Sequence, residues 1–218
     1  RWERPGDGVL TPGEFIPLFE KNGFIVELDR YVFEQVCSYL HGLLESGKSP
    51  IKLSVNVSRI SALRKDFISR YTEIKERYQI PDGLLELECT ETTMVENAEL
   101  LESVMRKMRI RGFCFSMDDF GSGYSSLYLL NDGTGEVLKL DMMFFRNNKL
   151  FELRNQTIIS SIVGMAKALN MKIVAEGVET KEQMEVLKRL GCDYIQGYYI
   201  SRPLPIEEFE KRFLSPAV

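Results

Sequence analysis

Asp118 and Asp119 stand side by side at the end of the apolar run FSMDDF (115–120), and the flexible triplet GSG follows at once. Adjacent carboxylates repel unless something cationic neutralises them, so the pair points either to a bound cation or to an ordinary solvated turn. Other short apolar runs end in the same way: on Asn56, on Glu88 and Glu91, on Lys139 and Asp141, on Glu176 and Glu179, and on Gln196. The set holds seven carboxylates, two amides and one lysine. Oxygen donors in that ratio suit hard divalent ions such as Mg²⁺ or Mn²⁺. Carboxylates that bridge two such ions about 3.5–4 Å apart serve phosphate-ester cleavage. Lys139 is then placed to hold a hydrolytic water or to offset part of the acidic charge. Taken singly, each residue reads as a helix cap, a turn residue or a lysine with its stem laid along the surface. Six strand ends with the same signature favour a site.

The elements that must carry these residues follow from periodicity. IKLSVNV (51–57), LLELECTE (84–91), FCFSMDDF (113–120), VLKLD (137–141), KIVAEGVE (172–179) and YIQGYYI (194–200) read as strands. Helical patterns run between them over 12–23, 29–47, 66–78, 97–112, 155–170 and 180–191, several closing on Gly or Asn and opening after Pro, Asp, Asn or Thr. Strands that alternate with helices argue for a parallel sheet, either an open doubly wound sheet or a barrel. Strands covered on both faces should be apolar throughout, so the polar residues at their C-terminal ends need a reason. In a closed (β/α)8 barrel those ends converge on one mouth, where active sites of that fold lie. No GxGxxG or GxxxxGK loop follows a strand, which leaves a nucleotide-cradling Rossmann or P-loop reading without support.

Composition narrows the chemistry further. The chain has 218 residues and a formal net charge of −4 without a basic cluster, so nucleic-acid polymers are poor partners. His41 is the single histidine and sits apart from the other features, which excludes catalysis built on histidine; it reads as a surface residue. Cys37, Cys89, Cys114 and Cys192 form no CxxC pair, and three of them lie in apolar runs as small core residues. Free thiols and the lack of a signal peptide or membrane-spanning run fit a reducing cytoplasm, here or as the cytosolic part of a larger or membrane-anchored protein.

The segments SVNVS, ELECTET, DDFGSGYSSL, VLKLD, VAEGVET and GCDYIQGYYISRPLP, in this order and spacing, resemble the EAL-domain cyclic di-GMP phosphodiesterases. RWERPGDGVLTPGEFIPLFEKNGFI is similar to the opening of that family after its name-giving Glu-Ala-Leu. The resemblance implies a TIM-like (β/α)8 barrel of EAL type over residues 1–218, and hydrolysis of cyclic di-GMP to linear pGpG with two Mg²⁺ or Mn²⁺ ions. It implies Asn56, Glu88, Asp118, Asp119 and Glu176 as metal ligands, and Lys139 with Glu176 at the nucleophilic water. Arg1, Asp141 and Gln196 are the expected substrate contacts. Glu91, Gly121 and Glu179 are expected to support the loop that follows the two aspartates. A homodimer and an upstream sensory or cyclase domain are the partners that the family suggests.

Three departures accompany the likeness. The Glu of Glu-Ala-Leu would lie just before Arg1, so the sequence is expected to continue upstream and to complete a first strand of which Arg1 and Trp2 are the tail. NDGTGEV (131–137) replaces the family's Leu-Pro-x-Asp, and its two extra glycines should loosen that segment. Met142 and Met143 replace Arg-Ser after Lys-Leu-Asp, and Ser61 stands where the family often has Gln, differences that bear on substrate fit. Two other functions stay open: a degenerate EAL domain that senses cyclic di-GMP or docks a protein without cutting, and a two-metal hydrolase for another phosphodiester.

Overall fold

A computed structural model of the chain describes residues 2–4, 6, 8–90, 98–121 and 135–214. They form two compact units. The first takes the described residues up to Asp118 with 135 and 136; the second takes Asp119–Gly121 and the described residues from Val137 on. The boundary falls inside one strand, between the two adjacent aspartates.

The first unit opens with strands β1 (Trp2–Arg4) and β2 (Gly8–Leu10), which pair antiparallel. The sequence suggests Trp2 as the tail of a parallel strand; the structure pairs its segment locally in a hairpin, which satisfies backbone groups on the adjoining strand. Helix α1 (Pro12–Asn22) starts at Thr11, whose N–H and hydroxyl both donate to the Glu14 carboxylate at 2.6 and 2.7 Å. Its Phe15 and Phe19 pack with Trp2 and Phe24 at ring separations of 4.9–5.7 Å. Helix α2 (Ile25–Glu45) buries Ile25, Asp29, Phe33, Cys37, Leu40 and Leu43, a three-to-four-residue spacing that lays one stripe against the core.

The remaining elements of this unit alternate: β3 (Leu53–Asn56), α3 (Arg59–Ala62), α4 (Phe67–Arg77), β4 (Leu85–Thr90), α5 (Ala98–Arg109) and β5 (Cys114–Phe120). Strands β3, β4 and β5 run parallel, with Asn56 opposite Glu88, Glu88 opposite Ser116 and Thr90 opposite Asp118. Strand β4 is buried through Cys89, as a strand covered on both faces must be. Phe33 is fully buried, with its ring centroid 4.4 Å from that of Tyr71 and 6.1 Å from that of Phe113.

In the second unit, β6 (Val137–Leu140) and β7 (Lys172–Ala175) run parallel, with Lys139 opposite Val174, and β8 (Tyr194–Ile195) adds to β7. Helices α6 (Leu153–Ala168) and α7 (Lys181–Leu190) connect them, and α8 (Ile206–Phe209) lies near the end. Thr180 and Gln183 cap α7 reciprocally, which sets its start directly after Glu179. The expected strands over 172–179 and 194–200 are shorter in the structure, ending at Ala175 and Ile195. In each case a glycine with positive φ, Gly177 or Gly197, takes the chain out of the extended state.

Two sequence expectations need correction. Cys37 and Cys89 are the buried thiols, and burial pushes both up to about 12, so they stay protonated core residues; Cys114 and Cys192 are only half-buried. His41 is half-buried rather than on the open surface, with Nε2 3.5 Å from a Glu45 oxygen. Both differences arise from neighbours that local periodicity does not reveal.

Asp29 is a buried acid outside the predicted site. Burial raises its pKa, while hydrogen bonds from the Ser58 N–H at 3.0 Å and the Ser61 hydroxyl at 2.6 Å pull the other way. A carboxyl whose folded pKa is raised gives its full stability below its unfolded value, near 4, and loses it as pH rises through the higher folded value. Asp29→Asn should therefore gain stability relative to wild type between pH 4 and 7. Urea unfolding at several pH values checks this; a difference independent of pH would contradict it.

Candidate active site

Described residues of the predicted site lie at or just beyond the C-terminal ends of parallel strands in each unit. In the first, register partners on parallel strands share a face and alternate residues return to it, so Asn56, Glu88 and Asp118 project from one side of β3, β4 and β5. Glu88 is 6% and Asp118 9% exposed, while Asn56, at the strand's end, is exposed. The ladder continues past Asn56, where the Val57 N–H donates to the Glu88 carbonyl at 2.9 Å.

In the second unit, Lys139 is the penultimate residue of β6 and only 4% exposed, which rules out a lysine stretched along the surface. Its Nζ lies 2.6 Å from Oε1 of Glu176. Glu176 follows the last residue of β7, and its N–H donates to the Leu140 carbonyl at 3.0 Å, so β6 and β7 hold the pair in register.

Asp119 takes a left-handed backbone conformation, φ 57°. Successive residues of a strand point to opposite faces, and this turn is what allows two consecutive carboxylates to approach each other. Within the second unit, a carboxylate oxygen of Asp119 lies within 4.8 Å of one from Glu176. Oxygens at that separation, both on carboxylates kept half-exposed, suit a hard divalent cation. The adjacent Lys139 ammonium offsets part of the negative charge gathered there. The donor set therefore fits Mg²⁺ or Mn²⁺.

The other expected site residues are placed less centrally. The Asp141 carboxylate accepts from the Met143 N–H at 2.6 Å and caps the 3₁₀ turn Met142–Phe144. Gln196 is exposed, and its backbone joins the Ala175 carbonyl and the Val178 N–H. Glu179 is exposed, with its N–H bonded to the Gln183 side chain at 2.7 Å. Gly121 has φ 96°, which suits glycine, and follows the aspartates by two residues. Arg1, Glu91 and 131–134 of NDGTGEV lie outside the described residues. Ser61 is buried and gives its hydroxyl to Asp29. It also borders a cleft of about 170 Å³ in the first unit, walled by Arg30, Arg64, Asp66, Arg70 and Tyr71, which holds none of the predicted site residues.

The profile described as "EAL domain" matches residues 1–203. The chain belongs to the EAL domain family. This EAL domain therefore has the α/β, TIM-like fold of that family. It is 36% identical over 208 residues to the bifunctional diguanylate cyclase/cyclic di-GMP phosphodiesterase MucR of Pseudomonas aeruginosa, covering 95% of this chain and 30% of that protein. It is 35% identical over 211 residues to the cyclic di-GMP phosphodiesterase NbdA of the same organism, covering 97% of this chain and 27% of that protein. The EAL domain thus spans less than a third of these relatives. A solved structure of the PaMucR phosphodiesterase in complex with c-di-GMP superposes with a TM-score of 0.89 at 36% identity, over 96% of this chain and 84% of that one. The EAL domain of Mycobacterium smegmatis DcpA superposes with a TM-score of 0.80 at 29% identity, over 86% and 84%. Among the described residues of this EAL domain, no helix is long and apolar enough to cross a membrane.

The Lys139–Glu176 pair makes a stability prediction. Lys139→Met keeps the volume but leaves a carboxylate without its ammonium, and removing one partner of a buried pair costs about 3 kcal/mol or more. Urea unfolding in chelator should show that loss, and the double variant Lys139→Met/Glu176→Gln should recover a large part of it. Equal stabilities for single and double variants would show that the pair is not coupled.

Proposed function

We propose that this EAL domain hydrolyses one phosphodiester of cyclic di-GMP to give linear pGpG, with two Mg²⁺ or Mn²⁺ ions. The observation that carries this reading is the left-handed turn at Asp119. It brings the Asp119 carboxylate within 4.8 Å of that of Glu176, beside a buried lysine paired to Glu176. The phosphodiesterase names of the relatives and the c-di-GMP complex of the solved neighbour support the choice of substrate. Asn56, Glu88, Asp118, Asp119 and Glu176 would hold the ions, an assignment that rests on the family resemblance. When bound, such ions polarise the scissile phosphate and lower the pKa of a coordinated water.

The chain's own residues do the rest. Lys139 orients the attacking water and steadies Glu176, and its charge favours the anionic substrate in a site that is otherwise acidic. Asp141 closes the turn after Lys139 and keeps the lysine strand's end in place. Arg1, Asp141 and Gln196 are assigned to the substrate, and Glu91, Gly121 and Glu179 to support of the loop. In a protein built like its relatives, the domain would work beside a sensory or cyclase domain, with a homodimer as its assembly.

Cyclic di-GMP should be converted to pGpG with Mg²⁺ or Mn²⁺, stop on addition of EDTA and resume on metal replenishment, as followed by chromatography. Asp118→Asn should abolish turnover while leaving the circular dichroism spectrum unchanged. Relief of like-charge repulsion should raise its melting temperature in chelator. Binding of cyclic di-GMP without cleavage in Mn²⁺ would instead mark a sensor, and faster cleavage of a simple nitrophenyl diester would mark a different hydrolase.

A further inference from the structure

The glycines that follow two of the acidic residues share an unusual neighbour. A Cβ on Gly121, two residues after Asp119, would fall 2.5 Å from Cε2 and Cζ of Phe144. A Cβ on Gly177, directly after Glu176, would fall 2.5 Å from Cβ of Met142. Both glycines have positive φ, 96° and 68°, so both the conformation and the close approach exclude a side chain. The bare backbones beyond Asp119 and Glu176 thus press on the two ends of one short turn, Met142–Phe144.

That turn is itself fastened. The Phe145 N–H donates to the Met142 carbonyl at 2.9 Å, and the Phe145 ring is buried below it. The Asp141 carboxylate holds the Met143 N–H, and the Arg146 guanidinium lies 3.1 Å from the Met142 sulfur. From the first turn of α6, the Asn155 side-chain amide donates to the Phe144 carbonyl, and Gln156 donates to the Leu150 carbonyl at 3.0 Å. Met142 and Met143 are flexible side chains, so rigidity has to come from these hydrogen bonds rather than from packing alone.

We propose that the turn Met142–Phe144 is a spacer that sets the separation of the Asp119 and Glu176 carboxylates, and that Asn155 is the positioning residue that locks it. The inference deepens the functional reading above and rests on these carboxylates holding divalent ions. Ligand distances in metal sites are tolerant to only about 0.2 Å, so a small shift of Phe144 or Met142, which abut glycines one or two residues from a proposed ligand, is felt at the site. Partners that orient ligands cost about 10–100-fold in metal affinity when removed.

Asn155→Asp loses the donated amide hydrogen bond with little change in volume, and Phe144→Ala uncovers Gly121. Both variants should bind Mn²⁺ about tenfold more weakly, read as free Mn²⁺ by electron paramagnetic resonance without substrate. Phe144→Leu, which keeps the contact, should regain most of the affinity. With cyclic di-GMP, kcat at limiting Mn²⁺ should fall and recover at saturating Mn²⁺, with KM unchanged. A melting temperature that drops while the Mn²⁺ midpoint stays at the wild-type value would reduce the turn to scaffold and overturn the inference, as would unchanged values of both. Wild-type protein that takes up no Mn²⁺ would overturn the functional reading and this inference together; failure of the variants alone touches only the latter.

Discussion

Like charges held close together set the terms for the rest of this protein. Carboxylates within 4.8 Å of each other repel by about 3 kcal/mol or more at an effective dielectric near 20, and Asp119 faces that repulsion from Glu176. Lys139 offsets part of it, 2.6 Å from Glu176, and it does so from a position almost closed to water where an unpaired ammonium would itself be costly. In the proposed function a divalent cation would offset the remainder. The fold's stability and its proposed chemistry meet in the same few side chains.

Holding that arrangement needs a backbone that a regular strand cannot supply. An ordinary extended residue at 119 would send its carboxylate to the face opposite Asp118. The left-handed conformation at Asp119 avoids this at a cost of order 1–3 kcal/mol for a residue with a Cβ. Gly121 and Gly177 then bring the backbone against Phe144 and Met142 with no side chain between. Strain of this kind persists only where neighbouring contacts determine it, and the hydrogen bonds around Met142–Phe144 are such contacts.

Not every buried polar group belongs to that site. Asp29, Ser58 and Ser61 form a closed hydrogen-bonded set beneath helix α2. Ser61 gives its hydroxyl to Asp29 and lines the wall of a cleft in the first unit. In that cleft Arg30 is paired with Glu27, and Arg64 and Arg70 share Asp66, which leaves their guanidinium groups largely committed.

The sequence by itself determined the parallel α/β pattern, the six strand cores and the polar residues at their ends. Each of these rests on local periodicity, on caps, or on the physical oddity of a charge ending an apolar run. It also determined the family, because several distinct segments occur in one order. Local pattern overextended KIVAEGVE and YIQGYYI, since a glycine's φ depends on what presses against it, and it missed the hairpin of Trp2–Arg4 with Gly8–Leu10. Only the tertiary structure decided that Lys139 is buried against Glu176, that Asp119 turns left-handed, and that Asn155 fastens the turn Met142–Phe144 against Gly121 and Gly177. Those facts depend on residues tens of positions apart meeting in space, and neither spacing nor residue type along the chain encodes such a meeting.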